Sequence, residues 1–266
     1  MPVVTFLKPV RITADYPGIN NLTTKFTIMK KLIVLLPFLC LASLLSAQNT
    51  VVHDANAEVR NISSFHAIEV SNGINLIMKQ GSEEAVAVSA SSPDIRSRIK
   101  TVVENGKLKI YFDNKGWKDE NTKKELKAYV SFKNLDAFEA NSGADASTDG
   151  NINVISLSIE LSSGADFKGT VTASHLDIEQ SSGSDMDIKG KVNDVSITAS
   201  SGSDFNGYDL ISETCKADAS SGSGIEITVN KELQAQASSG GGINYKGTGV
   251  ITSVSNSSGG RVKKQG

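Results

Sequence analysis

The feature that most constrains this fold is an internal repeat with a period near twenty residues. It is clearest as Ser-Ser-Gly-Ser-Asp at residues 181–185 and again at residues 200–204. The repeat glycine returns in steps of 21, 19, 19, 20, 18 and 19, at Gly143, Gly164, Gly183, Gly202, Gly222, Gly240 and Gly259. A short unit at a fixed period is typical of a solenoid, in which each coil buries its apolar side against its neighbours.

Alternation within the repeat predicts β-strands rather than helices. Five positions before the glycine the residues are apolar: Phe138, Ile159, Ile178, Ile197, Ala217, Ala235 and Val254. Four positions before it most are polar: Glu139, Glu160, Glu179, Thr198, Asp218, Gln236 and Ser255. A period of two is typical of a strand with one buried face, and stacked parallel strands of this kind form a parallel β-helix. The predicted fold is therefore all-β, a β-solenoid.

The Ser-Ser-Gly runs are predicted to form the corner of each coil. Small residues and a glycine permit a sharp bend and a positive φ, and Gly73 occupies the same place in an earlier copy, Ser71-Asn72-Gly73. A second turn is predicted where a glycine follows Asp149, Lys168, Lys189 or Asn206. We expect a third side to carry one apolar column: Val154, Val171, Val192, Leu210 and Val250.

The N-terminal region predicts export. Met29-Lys30-Lys31 precedes an apolar run from residue 32 to 45, which ends in small residues, so residues 29–47 resemble a secretory signal peptide. Residues 1–28 are then an upstream over-call of the start. A cytosolic extension with a single-span anchor is the alternative, although the run is short for a span and contains Pro37. Cys40 raises a lipoprotein alternative, but the residues before it are not small.

Residues 48–135 are predicted to hold the first coil and an insertion, and residues 136–266 the repeated coils. Within the insertion, Pro93 to Lys100 is predicted to be helical and Asn105-Gly106 to close a hairpin. A strand is expected at residues 128–132, after a charged exposed loop at 115–127. Together these elements predict an antiparallel β-rich cap over the first coil.

The segment from Ile68 to Leu76 contains Gly73-Ile74-Asn75, and together with the Ser-Ser-Gly-Ser-Asp repeats it resembles the head GIN domain family. That family is often labelled autotransporter adhesin. The resemblance covers about residues 62–262 and implies an exported Gram-negative protein with a right-handed parallel β-helix and no established activity. It implies a place in the periplasm, at the outer membrane surface or outside the cell.

Two columns of acidic residues are the candidate binding features. Asp145, Asp166, Asp185 and Asp204 occupy one column, and Glu69, Glu139, Glu160 and Glu179 another. Stacked coils would place neighbouring carboxylates about 4.8 Å apart, where they repel or share a cation. Because oxygen-rich clusters suit calcium, the first column is a candidate calcium or ligand site. The simpler interpretation is a solvated ladder whose aspartates accept hydrogen bonds at the corner.

The same residues argue against an enzyme, although a polysaccharide lyase or hydrolase stays as the alternative. Equivalent acids offer no distinct acid and base, and no arginine lies between Arg98 and Arg261. The three histidines are scattered, and Cys215 fits an apolar column. Net charge is only −2, which favours neither nucleic acid nor an anionic membrane as partner. We predict a non-enzymatic, adhesin-like or scaffolding surface with no cofactor other than calcium, whose partner is a cell-surface or glycan ligand and which has no membrane span after signal removal. Oligomeric state is left open.

Overall fold

The computed structural model describes residues 54–118 and 122–266, and this part of the chain is almost entirely β-structure. The predicted signal peptide and the segment before it lie outside the described residues. The elements are β1 (Glu58–Arg60), β2 (Ala67–Val70), β3 (Asn75–Gln80), β4 (Ala85–Ser89), α1 (Pro93–Ser97), β5 (Ile99–Glu104), β6 (Lys107–Phe112), β7 (Lys127–Phe132), β8 (Ala137–Ala140), β9 (Asp145–Leu161), β10 (Asp166–Gln180), β11 (Asp185–Ala199), β12 (Asp204–Ala219), β13 (Gly224–Ala237), β14 (Gly242–Lys246), β15 (Val250–Asn256) and β16 (Arg261–Lys264).

The predicted β-solenoid is confirmed, with about 7 turns. Strands β9 to β13 are each 14 to 17 residues long and pair in parallel, every strand with its counterpart one coil away. The repeat sets this register, because Phe167 stands opposite Met186 and Met186 opposite Phe205. Side chains of one column therefore stack on one another from coil to coil.

The core runs along the inside of the coils, as the alternation predicts. The column five residues before the repeat glycine is buried from Phe138 to Ala235, and Phe167 and Phe205 also point inward. Burying an aliphatic side chain of this size contributes about 1.5–3 kcal/mol, so successive coils stabilise one another chiefly through these columns.

The second turn differs from the prediction. The strands continue through Lys168-Gly169 and its counterparts, and the parallel ladder shifts register there, for example between Asp187 and Gly190. The chain thus bends within a hydrogen-bonded strand, as at a β-bulge, because a local irregularity turns a strand without ending its pairing.

The predicted third-side column was also wrong. Val171 stands opposite Ile152 and Gly190, whereas Val154 and Val192 share a different column with Ala173. Val250 pairs with Glu232 and is 68% exposed. The register shifts at the bend offset the count from the repeat glycine, so residues at similar sequence spacing fall into different columns.

The N-terminal strands close one end of the solenoid. Antiparallel pairing joins β1 to β4, β4 to β7 and β5 to β6. Strands β6 and β7 also pair in parallel with β2 and β3, so the insertion extends both faces of the first coil. Helix α1 ends at Ser97, three residues earlier than predicted, because Ile99 and Lys100 already pair with β6.

Each corner is a tight turn with two consecutive residues in the left-handed region. Ser182 has φ +57° and Gly183 φ +69°, and the Ser184 N–H donates to the Ser181 carbonyl at 3.3 Å. Two positive φ values at the centre of a turn define type I′. Gly183 also donates its N–H to the Ser201 carbonyl of the next coil at 3.1 Å, and this bond recurs from coil to coil. The hydrogen-bonded ladder therefore continues through the corners.

Among the described residues, α1 is the single helix, and its five residues are too few to span a membrane.

Candidate functional site

The four aspartates of the predicted binding column lie side by side on the outer face of the solenoid. Each is the first residue of its strand, from β9 to β12, and each stands opposite the next in the parallel register. The alternation of the strand turns them outward, because the residue that follows each one points into the core. Neighbouring strands are about 4.8 Å apart, so the carboxylates form a file along the solenoid axis.

The file has an uneven charge environment. Partial burial raises the pKa of Asp166, and the neighbouring carboxyl of Asp145 adds to the rise through its charge and a hydrogen bond. The Asp185 N–H opposes this by donating a backbone hydrogen bond to Asp166. No lysine or arginine forms an ion pair with any of the four aspartates in the part of the chain that the structure describes.

A groove of about 570 Å³ runs along this file. Its second wall is the outward column two residues further on, which consists of Ser147, Lys168, Asp187 and Asn206. The ammonium of Lys168 lies 2.9 Å from the Asp187 carboxylate, so this wall carries one cation among polar and acidic groups. We call this groove, with both columns, the aspartate groove.

The register shows how the file ends. Asn75 precedes Asp145 at one end, and Gly224, Gly242 and Arg261 follow Asp204 at the other. A Cβ on Gly224 would meet Oδ1 of Asp204 at 2.6 Å, so the absence of a side chain makes room for that carboxylate. The acidic file is therefore confined to four coils.

The arrangement does not gather the carboxylates around one point. Among residues 54–118 and 122–266, no three His, Cys, Asp or Glu side chains are grouped so that they could hold a metal ion. Calcium, which takes 6–8 oxygen ligands, would need oxygens from a ligand or water in addition to the file.

The glutamate column lies on the strand segment before each corner, whereas the aspartates lie on the segment after it. Glu69, Glu139 and Glu160 stand opposite one another in register, followed by Glu179. Lys107 forms an ion pair with Glu139, which neutralises that end of the column. The two acidic columns are thus separate surfaces.

A third outward row was missed from the sequence. Ser156, His175, Asp194 and Thr214 stand opposite one another and line a groove of about 450 Å³. His175 Nδ1 lies 3.2 Å from the Asp194 carboxylate, to which Thr214 donates a hydrogen bond of 2.6 Å. Because the hydroxyl of Thr214 bonds the carboxylate and not the imidazole, the three side chains do not take the hydroxyl–imidazole–carboxylate order of a catalytic triad. Each member stands eight residues before a repeat glycine, so the same count from the glycine that revealed the other columns could have found this row.

Cys215 lies in the core, as its column predicts. Burial raises the pKa of its thiol to about 12, so the reactive thiolate is scarce at neutral pH. It therefore acts as a small apolar residue.

Residues 64–249 match a protein family described as "Putative auto-transporter adhesin, head GIN domain". The chain belongs to this family. The match spans the first coil, the N-terminal strands apart from β1, and the coils that carry the aspartate groove, so the head GIN fold and this groove occupy the same part of the chain. No curated protein matches the chain.

Solved structures resemble this head GIN protein in fold. A "putative adhesin" from Bacteroides fragilis is 17% identical, with a TM-score of 0.71 over 79% of this chain and 96% of that one. A "putative adhesin" from Parabacteroides merdae is 13% identical, with a TM-score of 0.61 over 79% and 95%. A "Putative lipid binding protein" from Parabacteroides distasonis is 17% identical, with a TM-score of 0.62 over 80% and 98%. At these identities the likeness shows a shared fold.

Proposed function

We propose that this protein is exported to the cell envelope and acts there as a non-enzymatic, adhesin-like surface that binds a glycan along the aspartate groove. The observation that supports this most is the file of exposed aspartates at the same place in four consecutive coils. A polymer with its own repeat can meet the same chemistry at each coil, and linked weak contacts add to a larger affinity than one contact provides.

The chemistry of the groove suits hydroxyl-rich ligands. Carboxylates accept hydrogen bonds from sugar hydroxyls, whereas Lys168 and Asn206 supply donors on the facing wall. Calcium would strengthen such binding by bridging the carboxylates to ligand oxygens, since the protein alone supplies a single file of oxygens. The names of the family and of two of the related structures agree with an adhesive role.

The direct test is binding of the labelled protein to a panel of immobilised glycans, with chelator or with about 1 mM calcium, the range in which extracellular modules bind it. We compare the triple variant Asp166→Asn, Asp185→Asn and Asp204→Asn with a matched control on the other acidic face, Glu160→Gln, Glu179→Gln and Asp218→Asn. We expect the first variant to lose binding and its calcium dependence, and the control to keep both.

Circular dichroism and melting temperature establish that both variants fold. Equal binding by the two variants, or no binding by the unaltered protein to any glycan, would contradict the proposal. Release of reducing sugar from a bound glycan would instead indicate the polysaccharide-active enzyme.

A further inference from the structure

The last coil exposes residues that its position in the fold would otherwise bury. Ile251 of β15 stands opposite Leu233, and Val254 opposite Ala235. Leu233 and Ala235 are at most 4% exposed, whereas Ile251 is 40% and Val254 44% exposed. Both columns are buried in the coils of β9 to β13, so the end formed by β14, β15 and β16 presents a cross-section of the core to solvent. We call this surface the open end.

The open end also presents strand edges. Strand β15 pairs with β13 on one side, and β16 with β14. In the part of the chain that the structure describes, no strand pairs with the other edge of either. Backbone N–H and C=O groups at such an edge are a template for a further strand.

The charge of the open end is opposite to that of the coils before it. From residue 238 onward the basic residues are Lys246, Arg261, Lys263 and Lys264, and there is no Asp or Glu. Residues 136–237 contain 17 acidic and 5 basic residues. The exposed apolar residues therefore share this end with basic residues and no acidic one, at the end of an otherwise acidic solenoid.

We propose that the open end binds an extended acidic polypeptide segment of a partner protein, which adds as a strand to the edges of β15 and β16. Main-chain hydrogen bonds would provide affinity, and alternate side chains would provide specificity. Apolar residues of the partner cover Ile251 and Val254, and its acidic residues face Arg261 and Lys263. This inference concerns a surface other than the aspartate groove and goes beyond the proposed glycan binding.

A second copy of this chain fits the open end less well. Pairing two open ends would set Arg261, Lys263 and Lys264 against the same residues, and like charges directly opposite are destabilising. Strands β1 and β5 at the other end carry mixed charges, with no excess of acid to attract the open end.

Protection against aggregation does not account for the pattern either. Edge strands are often blunted by lysine, which would explain β16. Strand β15, however, is seven residues long, is exposed throughout and carries no charge or proline. With an acidic partner, the lysines of β16 attract the added strand instead of repelling it, and the uncharged edge of β15 is available to pair with that strand.

The test uses two labelled peptides of the length of β15, one alternating valine with glutamate and one alternating valine with lysine. Fluorescence anisotropy measures their binding to the unaltered protein, to the double variant Arg261→Glu and Lys263→Glu, and to a control with the exposed lysines of β11 changed, Lys189→Glu and Lys191→Glu. We expect the acidic peptide alone to bind, about tenfold or more weakly to the first variant and unchanged to the control.

Hydrogen exchange then distinguishes strand addition from attraction between side chains alone. We expect the acidic peptide to slow exchange of the β15 amides. Failure of the acidic peptide to bind, equal binding to both variants, or binding without protection of β15 overturns the proposal. Binding of dextran sulfate in place of the peptide would overturn it in favour of a general polyanion site, and concentration-dependent dimers in light scattering would overturn it in favour of a second copy.

Discussion

The carboxyl group of Asp166 lies beside that of Asp145 in the neighbouring coil and hydrogen-bonds to it, and burial together with this neighbour raises the pKa of Asp166 above its usual 3.8. A carboxyl with a raised pKa ionises less readily in the folded than in the unfolded protein. Its contribution to stability is therefore full below the usual pKa and is lost as pH rises through the folded value. At neutral pH, Asp166 opposes folding.

Asp166→Asn should accordingly stabilise the protein at pH 7. Like charges directly opposite in a sheet cost about 0.2–1 kcal/mol, which corresponds to at most about 4 °C in melting temperature for a domain of this size. The gain should disappear when pH falls below about 4, where the aspartate is protonated. Melting curves from pH 3 to 8 measure this, with Asp209→Asn as a control outside both acidic columns. A gain that is the same at every pH would contradict the assignment.

The second serine of each corner is predicted to be strained. Ser201 has φ +53°, a region that costs a residue other than glycine about 1–2 kcal/mol. Ser201→Gly should relieve this strain and be neutral or stabilising, since the added chain entropy of glycine offsets about 0.5–1 kcal/mol. Ser201→Val should destabilise, because a β-branched residue is disfavoured at positive φ.

Urea unfolding midpoints at unchanged slope measure these corner variants. Ser200 is the matched control, because it precedes the left-handed pair and has no positive φ. Ser200→Gly should destabilise the protein. A loss of stability on Ser201→Gly as large as that on Ser200→Gly would contradict a strained corner.

Two glycines that look alike in the sequence should respond differently to alanine. A Cβ on Gly190 would lie 2.0 Å from the Val171 carbonyl oxygen, at φ +127°. Overpacking and this strained backbone each cost about 1–3 kcal/mol, so Gly190→Ala should be severely destabilising. A Cβ on Gly183 meets nothing within 4 Å, so Gly183→Ala should cost only the strain of positive φ, about 1–2 kcal/mol. Equal losses of stability for the two variants in urea unfolding would contradict this close approach of Gly190 to the Val171 carbonyl oxygen.

Gln180 is a polar residue in an otherwise apolar core column. It is 2% exposed and donates to the carbonyls of Ser184 and Asp204, whereas its Oε1 has no hydrogen-bond partner among the described residues. A buried unsatisfied acceptor costs about 1–3 kcal/mol. Gln180→Leu should therefore be neutral or stabilising, because Leu161 already fits this column in the adjacent coil.

Gln180→Glu is the opposite test at the same site. It places an ionisable carboxyl in the core, so it should destabilise the protein at pH 7 and less at low pH, where the carboxyl is neutral. Thermal unfolding at pH 4 and pH 7 measures both changes. Strong destabilisation by leucine would show that the two hydrogen bonds outweigh the unsatisfied oxygen.

Two patterns in the sequence predicted the architecture. The period of the glycines indicates a solenoid, and the alternation that buries Ile178 and exposes Glu179 indicates strands. The third side was not predicted correctly, since Gly190 marks where the chain bends but not how far the bend shifts the register of the ladder. Left-handed Ser182 likewise looks like any turn serine. The raised pKa of Asp166 and the exposure of Val254 depend on which coil lies alongside, which becomes definite only when the register is known.

The measurement that tests the central claim most directly is protease accessibility of the protein in intact cells and in cells with a permeabilised outer membrane. An exported adhesin-like surface predicts digestion in intact cells, at exposed lysines such as Lys115, Lys118 and Lys123. A periplasmic protein of known location serves as the control for membrane integrity. Protection until the membrane is permeabilised would contradict an adhesive role at the cell surface.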